Sequence, residues 1–193
     1  MCDTLPSWLR EAGDSLPSEI PRNPFEIFGL PAAFEISREE LDRCYRQISR
    51  KLHPDHASLD QKEQAKELSA KINRLVAELK DPVRRAHLLY SHLSQKSLSL
   101  ADFKPSGAFL MEMFELQDEL EELNFPENEE RLLELENEME NRRKQALLGL
   151  KTAFENHTGS PDLACLESTL KKELSELAYL DRILNRVGEK LDE

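Results

Sequence analysis

Near the end of the chain, leucines stand at 163, 170, 177, 184 and 191, a strict seven-residue recurrence. A strand turns its side chains over at every residue, so an odd period scatters leucines across both faces. A helix at about 3.6 residues per turn keeps them on one seam. Leu166, Leu180 and Val187 fill the complementary positions of that seam. The spacing predicts a helix over roughly 160–191 that must bury an apolar stripe against other helices. Two further helical patterns precede it, at roughly 107–124 and 127–157. "NFPENEE" and "HTGSPD" separate the three and are short enough for antiparallel neighbours. A three-helix bundle over 107–193 is expected, unless the leucine seam instead joins two copies of the chain.

The first half carries the same helical signature in shorter pieces. In "NPFEIFGL", Asn23 is placed to cap a helix with Pro24 at its first position, and Gly29 to close it. "SREELDRCYRQISRKLH" opens with the Ser37–Glu40 pair of a capping box. Leu41, Tyr45, Ile48 and Leu52 then form a narrow stripe, with Arg43, Arg46 and Arg50 opposite it. A helix over about 60–80 follows, its stripe being Ala65, Leu68, Ile72, Leu75 and Leu79. Asp81-Pro82 ends it and starts another, with Val83, Ala86, Tyr90 and Leu93 at helical spacing. Residues 94–106, rich in Ser and closed by Pro105, read as a linker, and residues 1–22 mostly as a tail in which Trp8 and Leu9 can dock. The expected fold is all-α, and its six glycines agree with that.

Composition narrows the function. A net charge of −12 disfavours nucleic acid or an anionic membrane as the main partner. No apolar run approaches the roughly 20 residues of a spanning helix. The opening "MCDTLPSWLREAGDSLPSE" resembles neither a secretory signal nor a transit peptide, so a cytoplasmic protein is expected. Cys2, Cys44 and Cys165 form no CxxC pair, which argues against a zinc ribbon or disulfide framework and implies no cofactor.

Two stretches demand a functional reading. The first is "HPD", His53-Pro54-Asp55, where the arginine-rich helix runs into a proline. It admits three explanations. Pro54 pushes residue 53 out of the helical region, so the triad can be a plain helix stop. His53 and His56 can be a metal pair, although the proline spoils the helical geometry that would aim both rings at one ion. Or the triad is a docking loop, stiffened by proline and steered by the arginines towards an acidic partner. No serine or cysteine sits in a nucleophilic context, so no enzymatic activity is expected.

The second stretch is "GAFLMEMFELQDELEEL". With Phe109 as origin, Met113, Leu116, Leu120 and Leu123 fall within about 40° and belong to a core. Leu110, Met111 and Phe114 fall at roughly 100–200°, beside Asp118, Glu121 and Glu122. An apolar cluster among carboxylates suits a partner surface, or else a wide arc touching two neighbouring helices.

From Asn23 to about Leu93, "NPFEIFGL … REELDRCYRQISRKLHPDHAS … AKINRLVAELKDPVRRAHLLY" resembles a J-domain. With "FLMEMFELQDELEEL" and "LAYLDRIL" after it, the chain resembles the HscB-type J-proteins of iron–sulfur cluster assembly. The resemblance implies a J-domain hairpin (23–93), a linker and a scaffold-binding three-helix bundle, arranged as an L. It implies that His53, Pro54 and Asp55 contact an Hsp70-type chaperone (HscA-like) and trigger its ATP hydrolysis, with Arg43, Arg46, Arg50 and Lys51 in its acidic-lined groove. It further implies that Leu110, Met111, Phe114, Glu115, Asp118, Glu122 and Tyr179 bind an iron–sulfur scaffold protein (IscU-like). Phe114, Asp118 and Tyr179 stand where relatives commonly carry an aliphatic residue, Glu and Phe, so apolar and acidic character survives. His56 replaces a common lysine or arginine. The rival readings are a J-protein for other clients and a helical dimerisation protein.

Overall fold

The computed structural model describes residues 6–11, 16–17, 19–58, 60–100, 105–159 and 162–192. Cys2 and the side chain of His56, both weighed above, lie outside the described residues. The regular elements are all helices among the described residues, so the all-α class holds. The chain divides into two compact units, Met1–Ser97 and Leu98–Glu193.

The first unit contains α1 (Ser7–Glu11), α2 (Pro24–Ile27), α3 (Arg38–Lys51), a 3-10 turn (Pro54–His56), α4 (Lys62–Lys80) and α5 (Pro82–Ser94). Side chains mark the helix starts, as their types require. Asn23 accepts the Phe25 N–H, Ser37 Oγ the Glu40 N–H at 3.2 Å, and Asp81 the N–H groups of Val83 and Arg84. Gly29 closes α2 with a φ of +64°, a value that strains any residue with a Cβ.

Helices α3 and α4 form an antiparallel hairpin. Lys80 Nζ reaches Asp42 at 2.6 Å, Tyr45 donates to Asn73 at 2.9 Å, and the Ser69 hydroxyl donates to the Leu52 carbonyl at 2.9 Å. Partner numbers fall along α4 as they rise along α3, which leaves residues 53–55 at the tip. Leu41, Ile48 and Leu52 are buried, as their spacing predicts, whereas Tyr45 of the expected stripe is half-buried and Cys44 beside it is buried. The buried faces of α4 and α5 are rotated from expectation. Val76 and Leu89 enter the core, whereas Leu68 and Leu75 are half-buried and Leu93 is exposed. Helix α4 packs against both α3 and α5, so its buried arc turns towards the space between two neighbours. Arg85 locks this end, donating to the carbonyls of Phe34 and Leu79 while its guanidinium lies over the Phe34 ring.

Part of the expected N-terminal tail is packed. Leu9 is fully buried, and Trp8 Nε1 donates to the Ile27 carbonyl at 3.0 Å.

The second unit is α6 (Gly107–Glu122), α7 (Glu129–Gly159) and α8 (Leu163–Leu191). Ser106 caps α6 and Asp162 caps α8. Leu166, Leu170, Leu177, Leu180 and Val187 are buried along α8, whereas Leu163 stays exposed and Leu184 and Leu191 are half-buried. The seam packs chiefly against α7 of the same chain, which leaves little of it for a second copy. Met113 and Leu120 of α6 join Leu132, Leu135, Met139, Leu180, Ile183 and Val187 in one core, with Phe109, Leu116 and Leu123 packed against it. That is the stripe the sequence assigns to the bundle.

Candidate functional site

The tip of the α3–α4 hairpin is built by the proline. Helix α3 stops at Lys51, Leu52 is buried beneath the turn, and His53 is extended at φ −65°, ψ 130°. The pyrrolidine ring of Pro54 forces that extension on the residue before it. The Asp55 N–H donates to His53 Nδ1 at 3.2 Å, and Asp55 Oδ2 lies 3.6 Å from the same nitrogen. A ring nitrogen that accepts a backbone N–H cannot carry a proton, so in neutral His53 the proton sits on Nε2. The side chains of His53 and Asp55 are 54% and 83% exposed. The loop thus holds an imidazole and a carboxylate in fixed relation, facing solvent.

Behind it, Arg46 and Arg50 are exposed on α3. Arg43 leans back towards Glu40, with Nη2 at 3.8 Å from its carboxylate. Asp42 pairs with Lys80 across the hairpin, and that hydrogen bond, with the charges of Lys80, Arg46 and Arg38, holds its pKa below the ordinary value. Lys51 behaves differently from the arginines: its ammonium donates to the Leu9 carbonyl at 2.7 Å.

Helix α6 sorts its carboxylates by direction. Glu112 and Glu119, at about 280–300° from Phe109, face α7. Glu112 pairs with Arg142, and Glu119 takes a two-pronged contact from Arg131 at 2.6 and 3.1 Å. These guanidinium hydrogen bonds lower the pKa of both carboxyls. Glu121, at about 120°, faces α8 and lies 3.5 Å from Arg186. Glu115, Asp118 and Glu122, at about 180–240°, have no ion-pair partner among the described residues and are exposed. Met111, at about 200°, lies in that arc and Phe114, at about 140°, lies beside it towards Glu121; they are 65% and 60% exposed. Leu110 is half-buried. Tyr179 of α8 is half-buried, with its ring edge-on to Phe109 at 5.9 Å and Arg182 stacked on it. The α6 face is therefore apolar at its centre and negative around it.

No group of three or more His, Cys, Asp or Glu side chains is placed to hold a metal among the described residues. No described helix is long and apolar enough to cross a membrane.

Comparison with known proteins bears on both units. The family model of the DnaJ domain matches residues 23–88, and that of the HSCB C-terminal oligomerisation domain matches residues 106–188. The chain belongs to the HscB-type J-domain co-chaperones. A co-chaperone protein HscB homolog of Neisseria meningitidis is 28% identical over 172 residues, covering 86% of this chain and 98% of that one. Another, from Vibrio cholerae, is 37% identical over 102 residues, 51% of this chain and 60% of its own length. Among solved structures, chaperone HscB from Vibrio cholerae superposes with a TM-score of 0.73 at 26% identity, covering 88% of this chain and 98% of that one. Human co-chaperone protein HscB shares the fold, with a TM-score of 0.76 at 21% identity over 91% of this chain and 86% of its own.

Sequence reasoning about this HscB-type chain missed two features. It did not separate the paired α6 carboxylates from the unpaired ones, although their helical angles carry that information. It also did not note that Lys51 is set apart in angle from the arginines it was grouped with. Arg43, Arg46 and Arg50 stand at about 140–200° from Leu41, but Lys51 stands at about 280°, on the flank of α3.

Proposed function

We propose that this co-chaperone holds an iron–sulfur scaffold protein on its C-terminal bundle and presents it to an Hsp70-type chaperone in the cytoplasm. In this reading residues 23–93 engage the chaperone and residues 107–193 the scaffold, with 94–106 joining them. His53, Pro54 and Asp55 trigger ATP hydrolysis in the chaperone, while Arg46 and Arg50, with Arg43 beside them, steer its acidic surface. Met111 and Phe114 anchor the scaffold, Leu110 and Tyr179 border them, and Glu115, Asp118 and Glu122 pair with its cations. The chemistry belongs to the partners. Joining both surfaces on one chain raises the concentration of client at the chaperone.

The observation that carries the reading is the α6 face. Two large apolar side chains stand exposed on a helix whose core stripe is packed, beside three carboxylates with no ion-pair partner among the described residues. A surface of that composition is suited to a basic-rimmed, apolar-centred partner. The test is steady-state ATP turnover by the chaperone with scaffold alone, this chain alone, and both together. Turnover greater with both than the sum of the separate increments supports delivery. Simple additivity rejects it.

A further inference from the structure

The N-terminal segment meets the hairpin at both feet of the His53-Pro54-Asp55 loop. Lys51, the last residue of α3, gives its ammonium to the Leu9 carbonyl at 2.7 Å. Gln64, in the first turn of α4, donates to the Pro17 carbonyl at 3.1 Å. The segment is itself anchored: Pro6, Leu9 and Pro17 are buried, and Trp8 is hydrogen-bonded to Ile27. Helix α3 enters the loop and α4 leaves it, so described parts of the N-terminal segment contact the hairpin both where the loop begins and where it ends. Within the loop, the Leu52 carbonyl accepts from Ser69 and the Asp55 N–H bonds His53. Residues 51, 52 and 53 are thus held in succession.

We infer that the described parts of residues 6–17 form a strap across the loop end of the hairpin, and that Lys51 is a positioning residue. Its ammonium fixes the strap to α3 and so sets the posture of the loop, instead of gripping the chaperone. A basic side chain at the C-terminal end of α3 also complements the helix dipole, so its charge is favourable there without an outside partner. The flank position of Lys51 agrees with this, because a strap can reach that flank while the arginine face stays open. The functional part of the inference rests on the proposed role of the loop; the structural part does not.

The test uses the full chain with Lys51→Met, which keeps the stem and removes the donor, beside Lys51→Arg and Arg46→Glu. Amide exchange at Asp55 and Ala57 should quicken by about tenfold in Lys51→Met, the scale of one hydrogen bond from a charged donor. Lys51→Arg should restore it, and Arg46→Glu should leave it alone. In ATPase titrations, Lys51→Met should lower maximal stimulation and keep the half-saturating concentration and its salt dependence. Arg46→Glu should shift the latter two. Unchanged exchange in Lys51→Met, or titrations that match those of Arg46→Glu, would overturn the strap. Failure of the wild-type chain to stimulate any Hsp70 would reject the loop's proposed role, and the exchange data would still decide the strap. As a second variant, Leu9→Ala should red-shift the emission of Trp8, the only tryptophan, and speed exchange at the same amides. A red shift without faster exchange would also overturn it.

Discussion

Replacing Met111 and Phe114 together with alanine should weaken scaffold binding and leave the bundle folded. Full burial of a methionine or phenylalanine side chain is worth about 1.5–3 kcal/mol. With 65% and 60% of these two residues exposed, a partner that covers them gains about 1–2 kcal/mol from each. The double variant should therefore lose about 2–4 kcal/mol, a rise in Kd of about thirty- to a thousandfold. The same exposure limits the cost to folding, because the chain itself buries only the smaller share of each side chain. That cost is about 1 kcal/mol or less per residue, and alanine is a good helix former. Calorimetric titration with a scaffold protein measures the first effect, and thermal melts followed by circular dichroism measure the second. Leu133→Ala on α7 is the control, since Leu133 is also exposed, at 41%, but lies outside the α6 face. An unchanged Kd for the double variant, or equal losses for it and the control, would refute the assignment of the surface.

His53→Gln should abolish stimulation of the chaperone ATPase while scaffold affinity and helicity stay as they were; normal stimulation would remove the loop from the mechanism. Arg46→Glu should weaken chaperone engagement most at low ionic strength, and a deficit independent of salt would argue against steering. The pairs Glu112–Arg142 and Glu119–Arg131 make stability fall in acid. Their carboxyl pKa values are lowered in the fold by guanidinium hydrogen bonds, so the unfolded chain takes up protons first. Their contribution is present above the ordinary carboxyl value near 4.5 and disappears as pH drops through the lowered ones. Both pairs are solvent-accessible, so each is worth under about 1 kcal/mol. Melts between about pH 3 and 6 should show a shallower acid decline for Glu119→Gln than for the natural sequence. Parallel declines would discard the pair as a contributor.

The helices were legible because their information is local. The caps at Asn23 and Ser37, the break at Asp81-Pro82 and the stripes of α3, α6 and α8 depend on residues within a turn or two of one another. What spacing alone missed depends on more than one neighbour. Helix α4 touches two helices, and a one-stripe template places Leu68 and Leu75 too deep and omits Val76. The strap contacts join residues 42 and 47 positions apart, a separation at which no periodicity speaks. Exposure of the α6 cluster was left open by the sequence, since a wide arc gripping two helices has the same pattern. The distinction lies in the exposure of Met111 and Phe114, at 65% and 60%.

If the proposed function holds, charge placement accounts for one chain serving two unlike partners without confusing them. The chain is acidic overall, at −12, yet Arg46 and Arg50 stand exposed on α3 while Glu115, Asp118 and Glu122 stand exposed on α6. An acidic chaperone surface that suits the first face is repelled by the second, and a basic-rimmed scaffold is repelled by the first. In the proposed function each face would attract one partner and exclude the other, a specificity that apolar contacts alone do not supply. Both pairings also weaken with salt, but only the α6 face retains a large apolar contribution when charges are screened. Raising ionic strength should therefore release the chaperone before the scaffold. That order follows from Met111 and Phe114 having no counterpart among the exposed residues of α3.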